Sequence, residues 1–580
     1  MCGILLIINK KNKNLDRQKC ISSLEKISHR GPDYKLQHFP KNHIFFGQVV
    51  LSLTGMIKKN YKYFYSKAKK YHIIFNGEIY NYKSINEKFK LLNQTKNTTD
   101  TEVLVNFFEN FSVEFVNKNL DGMYAYILHD LKNNKIFFSR DPQGEKILYY
   151  YSDENHLIIS SEIIAITNYI EKIKLDKNIL KTYFFSRHFI SFDRTIYKKI
   201  KILEPGHTKS IDLKNYKIKN YQTFDIFNYI QPSKYNYFQT LNEEEIVSEL
   251  DNLMKYNLHE MIPDRNYISI VSGGIDSTLI SKYLTLFKKP KSLIFLNHKG
   301  KDPISNKINL FNNYFDRIDK IMVDKKIYFK NYLKALDICK SPIFSHDFVG
   351  KLMLAEITKT KNTKCIFGGD GADELFGGYS TYNQKIKNLM NNYSNYSRIL
   401  FPRSFKKDSA YSYFKKKLDY KWDKCLKAYY FIKNKMERNK AAMMLMDLSV
   451  QLSCVGLRGA DLMGMSCGVE MRSPFLRKQI LEFGLSLPLK YKLDDENSIF
   501  SNKKVLKKLF LKYFSKKHIL PKQGFAGFPN ETYQFLESKD KFIVFDFLSI
   551  DKKLAINDMK NREFAWKIYN TEFFLRKFFN

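Results

Sequence analysis

Apolar positions along this chain follow two rhythms. Through the first 165 residues, short β-branched runs alternate with polar turns. From about residue 240 such runs are coupled to helical patterns of 3.6-residue period. The run Met1-Cys2-Gly3-Ile4-Leu5-Leu6-Ile7-Ile8-Asn9 predicts a first strand; no basic leader precedes its apolar residues, so it does not read as a signal peptide. Residues 71–75 predict a strand running into Asn76-Gly77-Glu78, where Asn-Gly predicts a sharp turn. Residues 123–128 and 135–140 predict a hairpin. Between these strands, residues 100–111 place Val103, Leu104, Phe107 and Phe108 on one helical face.

The character changes after residue 175. Residues 233–240 read as a polar linker, and Asn242 with Glu245 predicts a capped helix start. A domain boundary is therefore placed between Tyr221 and Thr240. Residues 267–271 predict a buried strand and residues 277–284 a helix with Leu279, Ile280 and Leu284 on one face. Further strands are expected at 291–296 and 363–367, which together predict a parallel sheet covered on both faces. Beyond Tyr379 the pattern is mostly helical. Methionines within the apolar run 441–454 read as core filler. The basic, aromatic stretch 380–440 suggests no task of its own.

Composition narrows the class. The 580 residues are 44% hydrophobic, enough for large cores in two to four domains. No run of about 18 apolar residues predicts a membrane span. Seven scattered cysteines without a CxxC pair indicate neither a disulfide frame nor a zinc site, and fit the reducing cytoplasm. The formal charge is +38, but the lysines are spread along the chain and not gathered into one stripe. That favours compositional drift over a nucleic-acid surface, while leaving a field that attracts acidic substrates.

Two stretches carry chemistry. Ser272-Gly273-Gly274-Ile275-Asp276-Ser277 joins a strand to a helix N-terminus, where glycines let backbone N–H groups approach a phosphate. It lacks the lysine of kinase-like phosphate loops. Asp276 would repel phosphate unless a divalent cation lay between them, which points to Mg-pyrophosphate and to cleavage of ATP into AMP and pyrophosphate. At the other end, removal of Met1 would make Cys2 the first residue, with its own α-amino group as general base for the thiol. Asn76 and Gly77 suit the oxyanion of an acyl transfer, and Asp100 a substrate ammonium.

These residues belong to longer motifs. Met1-Cys2-Gly3-Ile4, His29-Arg30-Gly31-Pro32-Asp33, Asn76-Gly77-Glu78-Ile79-Tyr80-Asn81, Asp121-Gly122-Met123-Tyr124-Ala125 and Arg140-Asp141-Pro142-Gln143-Gly144 resemble the glutaminase domain of class II amidotransferases. Residues 272–277, 369–379, 469–476 and Lys522-Gln523-Gly524-Phe525 resemble the synthetase domain of glutamine-hydrolysing asparagine synthetases. The resemblance implies an α+β N-terminal-nucleophile (Ntn) hydrolase sandwich over 1–225. An α/β adenine-nucleotide α-hydrolase-like (PP-loop) domain with a helical C-terminal part would follow over 240–580. It implies Cys2 as nucleophile, Asn76 and Gly77 as oxyanion donors, and Glu78 and Asp100 as further holders of glutamine. It also implies that Ser272, Gly273, Gly274 and Ser277 cradle the pyrophosphate of ATP, with Asp276 and Asp373 on Mg²⁺ and Ile270, Phe295, Gly368 and Gly369 around adenosine. Asp370 stands where the family carries a glutamate needed for adenylate formation, and Lys522 matches a lysine that neutralises charge on the phosphates. Ammonia would pass between the sites through an internal channel.

The departures bear on substrate. Val50 takes the place of an arginine that pairs with the α-carboxylate of glutamine, a contact whose loss could cost about 2–3 kcal/mol of binding. Arg477 replaces an aspartate, and residues 297–324, where the acceptor is recognised, match the family faintly. Three readings follow: asparagine formation from aspartate, the same chemistry on another acceptor such as a sugar uronate, or a basic nucleic-acid-binding protein. The last is disfavoured, since binding alone needs none of Cys2, Asp276, Asp373 or Lys522. A homodimer is compatible with the first two. His29, Asp141 and the pair Glu470 and Arg472 are read as structural supports, and His346 as a structural residue or an acceptor contact.

Overall fold

The structure, a computed structural model, describes residues 2–54, 64–93, 98–186, 193–298, 307–383, 402–405, 408–520 and 542–579. Its first half is two six-stranded antiparallel sheets laid face to face. One runs, in spatial order, Ile200–Ile202, Tyr149–Ser152, His156–Ser160, Cys2–Asn9, Ile44–Val50 and Tyr34–Lys41. The other runs Ile218–Thr223, His207–Asp212, Lys135–Arg140, Gly122–Asp130, Tyr71–Ile79 and Phe64–Tyr65. Strand alternation puts Ile4, Leu6 and Ile8 on the inner face of the first sheet, where they pack with Ile74, Ile127 and Phe138 of the second. The hairpin expected around residues 123–140 is present, and the helix expected from residue 100 spans Asp100–Asn110.

Two local expectations fail. Asn76-Gly77-Glu78 is not a turn. Strand Tyr71–Ile79 runs straight through it, pairing Asn76 with Ala125 and Glu78 with Met123. Glycine serves close approach there, since a Cβ on Gly77 would lie 2.2 Å from the Met123 carbonyl oxygen. The expected linker is helix Pro232–Thr240, which begins on a proline and buries Tyr235 and Phe238. Phe238 stacks edge-on against Phe483, so tertiary burial outweighs the polar composition.

The second half centres on a five-stranded parallel sheet, in spatial order Ile318–Val323, Ser292–His298, Ile268–Ile270, Cys365–Phe367 and Glu470–Arg472. Ile268–Ile270 is the middle strand, so the glycine turn after it opens at the centre of the sheet's C-terminal edge, where open α/β sheets bind ligands. Helix Glu243–Met261 starts with the expected capping box between Asn242 and Glu245. Further on, Lys435–Ser466 is one helical run whose middle, Asp447–Gly456, is π-helical. Among the described residues this run alone is long and apolar enough to cross a membrane, but 78% of its apolar window is buried inside the protein. Its methionines are core, as expected: Met443 and Met446 are fully buried.

Buried polar contacts join the halves. Gln143 Nε2 donates to the Leu476 carbonyl at 2.9 Å, and Arg477 Nη2 lies 2.7 Å from Asp121 Oδ2. The arginine that replaces the usual aspartate at 477 thus has an acidic partner in the other half. All seven cysteines are free.

Candidate functional site

Two clusters of the singled-out residues form. The first sits at one end of the sandwich. Cys2 begins the strand paired with Ile44–Val50 and lies opposite Val50 itself. Its backbone nitrogen donates to Asn76 Oδ1 at 3.1 Å, across the gap between the two sheets. The Asn76 side chain is fully buried, and its Nδ2 has no hydrogen-bond partner. A buried orphan donor costs about 1–3 kcal/mol and is retained where a ligand uses it. Burial pushes the Cys2 thiol above its ordinary range.

Beside them lie two buried carboxyls. Burial and the neighbouring Asp100 charge push Glu78 up to about 8, with Arg472 acting the other way. Burial likewise raises Asp100, although Ile79 N donates to its Oδ2 at 3.0 Å and Thr101 N to its Oδ1 at 2.7 Å. A buried acid raised by a second buried acid beside it favours a cation between them. Arg472 reaches across from the parallel sheet to place Nη2 3.6 Å from Glu78 Oε2, while its Nε bonds Glu470. Behind Cys2, fully buried Arg30 donates to the Cys2 carbonyl at 3.3 Å, to Glu162 at 3.0 Å, and to both oxygens of Asp461 at 2.9 Å. His29 is bonded to Glu162 at 2.9 Å, a support as expected. Asp141 accepts from the N–H groups of Gly144, Glu145 and Lys146, which makes it the tie of its turn. Val50 offers no charge; its carbonyl accepts from Asp33 N, and Asp33 Oδ1 is 2.5 Å from Lys364 Nζ of the second half.

The second cluster forms at the glycine turn. Gly273 has φ +78°, which a side chain would strain, and Ser272 Oγ bonds Ser277 Oγ at 2.7 Å and receives the Gly274 N–H at 3.2 Å. Helix Ile275–Phe287 starts there with Asp276 in its first turn. The residues that follow strand Cys365–Phe367 pack onto the turn: a Cβ on Gly369 would lie 2.9 Å from Asp276 Cβ. Gly368 faces Ile270, and Phe295 is buried in the core, paired with Lys320 within the sheet. Asp276 and Asp373 converge on one cation. Lys503 Nζ contacts Asp276 Oδ2 and lies 2.6 Å from Asp373 Oδ1. Burial works against this ammonium, but the two carboxylates outweigh it and raise its pKa. The donor set therefore suits a small cation such as Mg²⁺, for which Lys503 is the stand-in.

Next to it is a cavity of about 120 Å³ lined by Asp370, Asp373, Glu374, Tyr379, Gln451 and Gly456, among others. Asp370 is paired with Lys351 at 3.0 Å, and Lys351 also donates to the Gly456 carbonyl at 2.8 Å. Burial and Asp373 push Glu374 up to about 7, and Tyr379 donates to it at 2.6 Å. Lys503, Lys351 and Glu374 escaped the sequence reading. Lys351 carries no local signal in a chain rich in lysine; Lys503 betrays itself only in the structure, by a left-handed φ of 51° ahead of helix Lys504–Leu511. Lys522 lies outside the described residues.

Comparison with known proteins agrees with this division. The glutamine amidotransferase domain family matches residues 1–222, and the asparagine synthase family matches residues 258–538. A relative from Methanocaldococcus jannaschii, assigned as glutamine-hydrolysing asparagine synthetase 2, is 28% identical over 405 residues, 66% of this chain and 76% of that one. Glutamine-hydrolysing asparagine synthetase 1 of Bacillus subtilis is also 28% identical, over 67% of this chain and 60% of its own length. With both halves matched in the same order, the chain belongs to the glutamine-hydrolysing asparagine synthetase family of glutamine-dependent carbon–nitrogen ligases.

Proposed function

We propose that the protein makes asparagine from aspartate, spending ATP to AMP and pyrophosphate and drawing nitrogen from the side chain of glutamine. Domains 1–225 and 240–580 divide the work. Removal of Met1 turns the Cys2 nitrogen, 3.1 Å from Asn76 Oδ1, into an α-amine. That amine takes the thiol proton as sulfur attacks the glutamine carboxamide. The unpartnered Asn76 Nδ2, with the Gly77 N–H, receives the oxyanion. Glu78 and Asp100 take the glutamine ammonium, which relieves the strain of two buried acids side by side.

In the second domain, Ser272, Gly273, Gly274 and Ser277 cradle the pyrophosphate, with Ile270, Gly368, Gly369 and the Phe295 backbone around adenosine. Asp276 and Asp373 hold Mg²⁺, which when bound neutralises phosphate charge and acts as a Lewis acid. Asp370, paired with Lys351, faces the acceptor cavity, where the carboxylate becomes an acyl-adenylate and ammonia displaces AMP. The observation that carries this reading is the convergence of Asp276 and Asp373 on one cation beside the glycine turn.

The names of the matched relatives favour aspartate over a sugar uronate. The test is a screen of carboxylic acids for pyrophosphate release with ATP and Mg²⁺, aspartate first. Aspartate is expected to give the highest kcat/KM; a uronate that outruns it by tenfold would replace this reading.

A further inference from the structure

A second cavity, of about 130 Å³, lies away from both clusters, where the two halves meet. A single water needs about 10–15 Å³. One wall is Pro142, Gln143, Glu204, Pro205, His207 and Asp225 of the first half; the other is Lys417, Lys421 and Lys424 with Ser449, Ser453 and Cys454. The lysines fall at i, i+4 and i+7 on helix Ser409–Ala428 and so share one face. This helix lies within the basic stretch 380–440 that the sequence left without a task.

The cavity is cationic on balance. Three lysines face two carboxylates, and both carboxylates are engaged: Asp225 lies 2.6 Å from Lys424 Nζ, and Glu204 lies 3.3 Å from His207 Nε2. Lys421 and Lys424 lie 4.9 and 4.1 Å from the centre of the Phe227 ring, a contact that favours both ammoniums there. The floor supplies hydroxyls. Ser453 is 2% exposed, and its Oγ has no hydrogen-bond partner. It abuts Gly144, where an added Cβ would lie 2.6 Å from that oxygen. A buried hydroxyl left unsatisfied on the wall of a cationic cavity is what a bound oxyanion would satisfy.

Ser449 and Ser453 belong to the π-helical segment Asp447–Gly456, and its other side, Gln451, Leu452, Val455 and Gly456, lines the acceptor cavity. We propose that this junction cavity binds a small phosphate- or carboxylate-bearing anion, and that its occupancy acts on the acceptor cavity through the π-helical segment. π-Helical turns hold an extra residue under strain and mark functional sites, which suits a wall shared by two cavities.

The test is a calorimetric titration of the full chain at constant ionic strength, with inorganic phosphate in one arm, succinate in a second and chloride as control. One of the two anions is expected to bind at the junction, tenfold or more weaker in K417Q/K421Q and at least threefold weaker in S453A. The better arm identifies the ligand class. Binding in neither arm, or binding that the double variant leaves unchanged, overturns the site. The same anion is expected to change the rate of acceptor-dependent pyrophosphate release at least twofold in the native protein and not in K417Q/K421Q; a bound anion that leaves that rate unchanged overturns the coupling. Coupling rests on the synthetase reading above, but the titration involves no catalysis and stands whichever acid proves to be the acceptor.

Discussion

The two half-sites are built in opposite ways. Around Cys2 the groups lie buried at one end of the sandwich, at a strand start, along strand Tyr71–Ile79 and at a helix start, with an orphan amide and two carboxyls whose neighbouring side-chain cation is Arg472, 3.6 Å from Glu78. Around Ser272 they sit on turns beyond strand ends, and the charges are already matched: Lys503 spans Asp276 and Asp373, and Lys351 holds Asp370. The first site is short of a partner and the second is provisionally filled. A neutral amide substrate that brings its own ammonium suits the former. A triphosphate that arrives with a metal, and must displace an internal counter-ion, suits the latter.

The sharpest way to separate the two is to remove the nucleophile. Cys2→Ala is expected to cut glutamine-dependent amidation by more than about 10³-fold, the scale of a lost covalent step, while synthesis from ammonium salt stays within about twofold. Equal loss of both activities would erase the contrast between the halves. The complementary change, Asp276→Asn, is expected to lower aspartate-dependent pyrophosphate release by about 10²-fold or more, the size of one lost electrostatic clamp, and to leave hydrolysis of glutamine to glutamate measurable. Pyrophosphate release at the native rate would mean that Lys503, the cation held by Asp276 and Asp373, is not exchanged for a metal.

The first site was largely legible in the chain because its signals are local in kind: a cysteine at position 2, an Asn-Gly pair, and an aspartate opening a helix. What misled was the structural meaning of Asn76-Gly77. Those residue types favour turns, but the Met123 carbonyl 2.2 Å from where a Cβ would be explains the glycine within a strand. The parallel sheet and its glycine turn were legible from β-branched runs followed by helical periodicity. Lys503 and Lys351 were not, since among 97 basic residues a lysine that bridges two carboxylates looks like any other. The helix Pro232–Thr240 was hidden for a related reason: its two buried aromatics sit among polar neighbours.

The contrast also has a seam. Arg30 lies fully buried between the Cys2 carbonyl, Glu162 and Asp461, the last on the helix Leu457–Ser466 of the second half. Removing one member of a buried ion cluster strands the others, typically at about 3–5 kcal/mol. Arg30→Met is therefore expected to destabilise the protein by about that much in urea unfolding. Because Asp461 in one half is left with Lys146 at 3.4 Å and Glu162 in the other with His29, both activities should weaken together, unlike in the Cys2 and Asp276 variants. A variant as stable as the native chain would show that the halves do not depend on this contact.

The smallest expected effect concerns acid. At the far end of the same sandwich, His72 and His129 flank Phe46, with His38 beside His72. Burial lowers His72 to about 3 and His129 to about 4, against 6.5 in an exposed histidine. Both are neutral in the fold, while the unfolded chain protonates them below pH 6.5. The stability they permit is complete above that pH, and falls as pH drops from 6.5 towards 4. Replacing both, as H72Q/H129Q, should leave urea stability at pH 4 at least about 2 kcal/mol less depressed relative to pH 7 than in the native protein. Near-neutral burial of the two glutamines costs some stability at every pH, so the difference between the two pH values is the quantity to read. If that difference is unchanged, the acid sensitivity of the fold does not reside in this histidine pair.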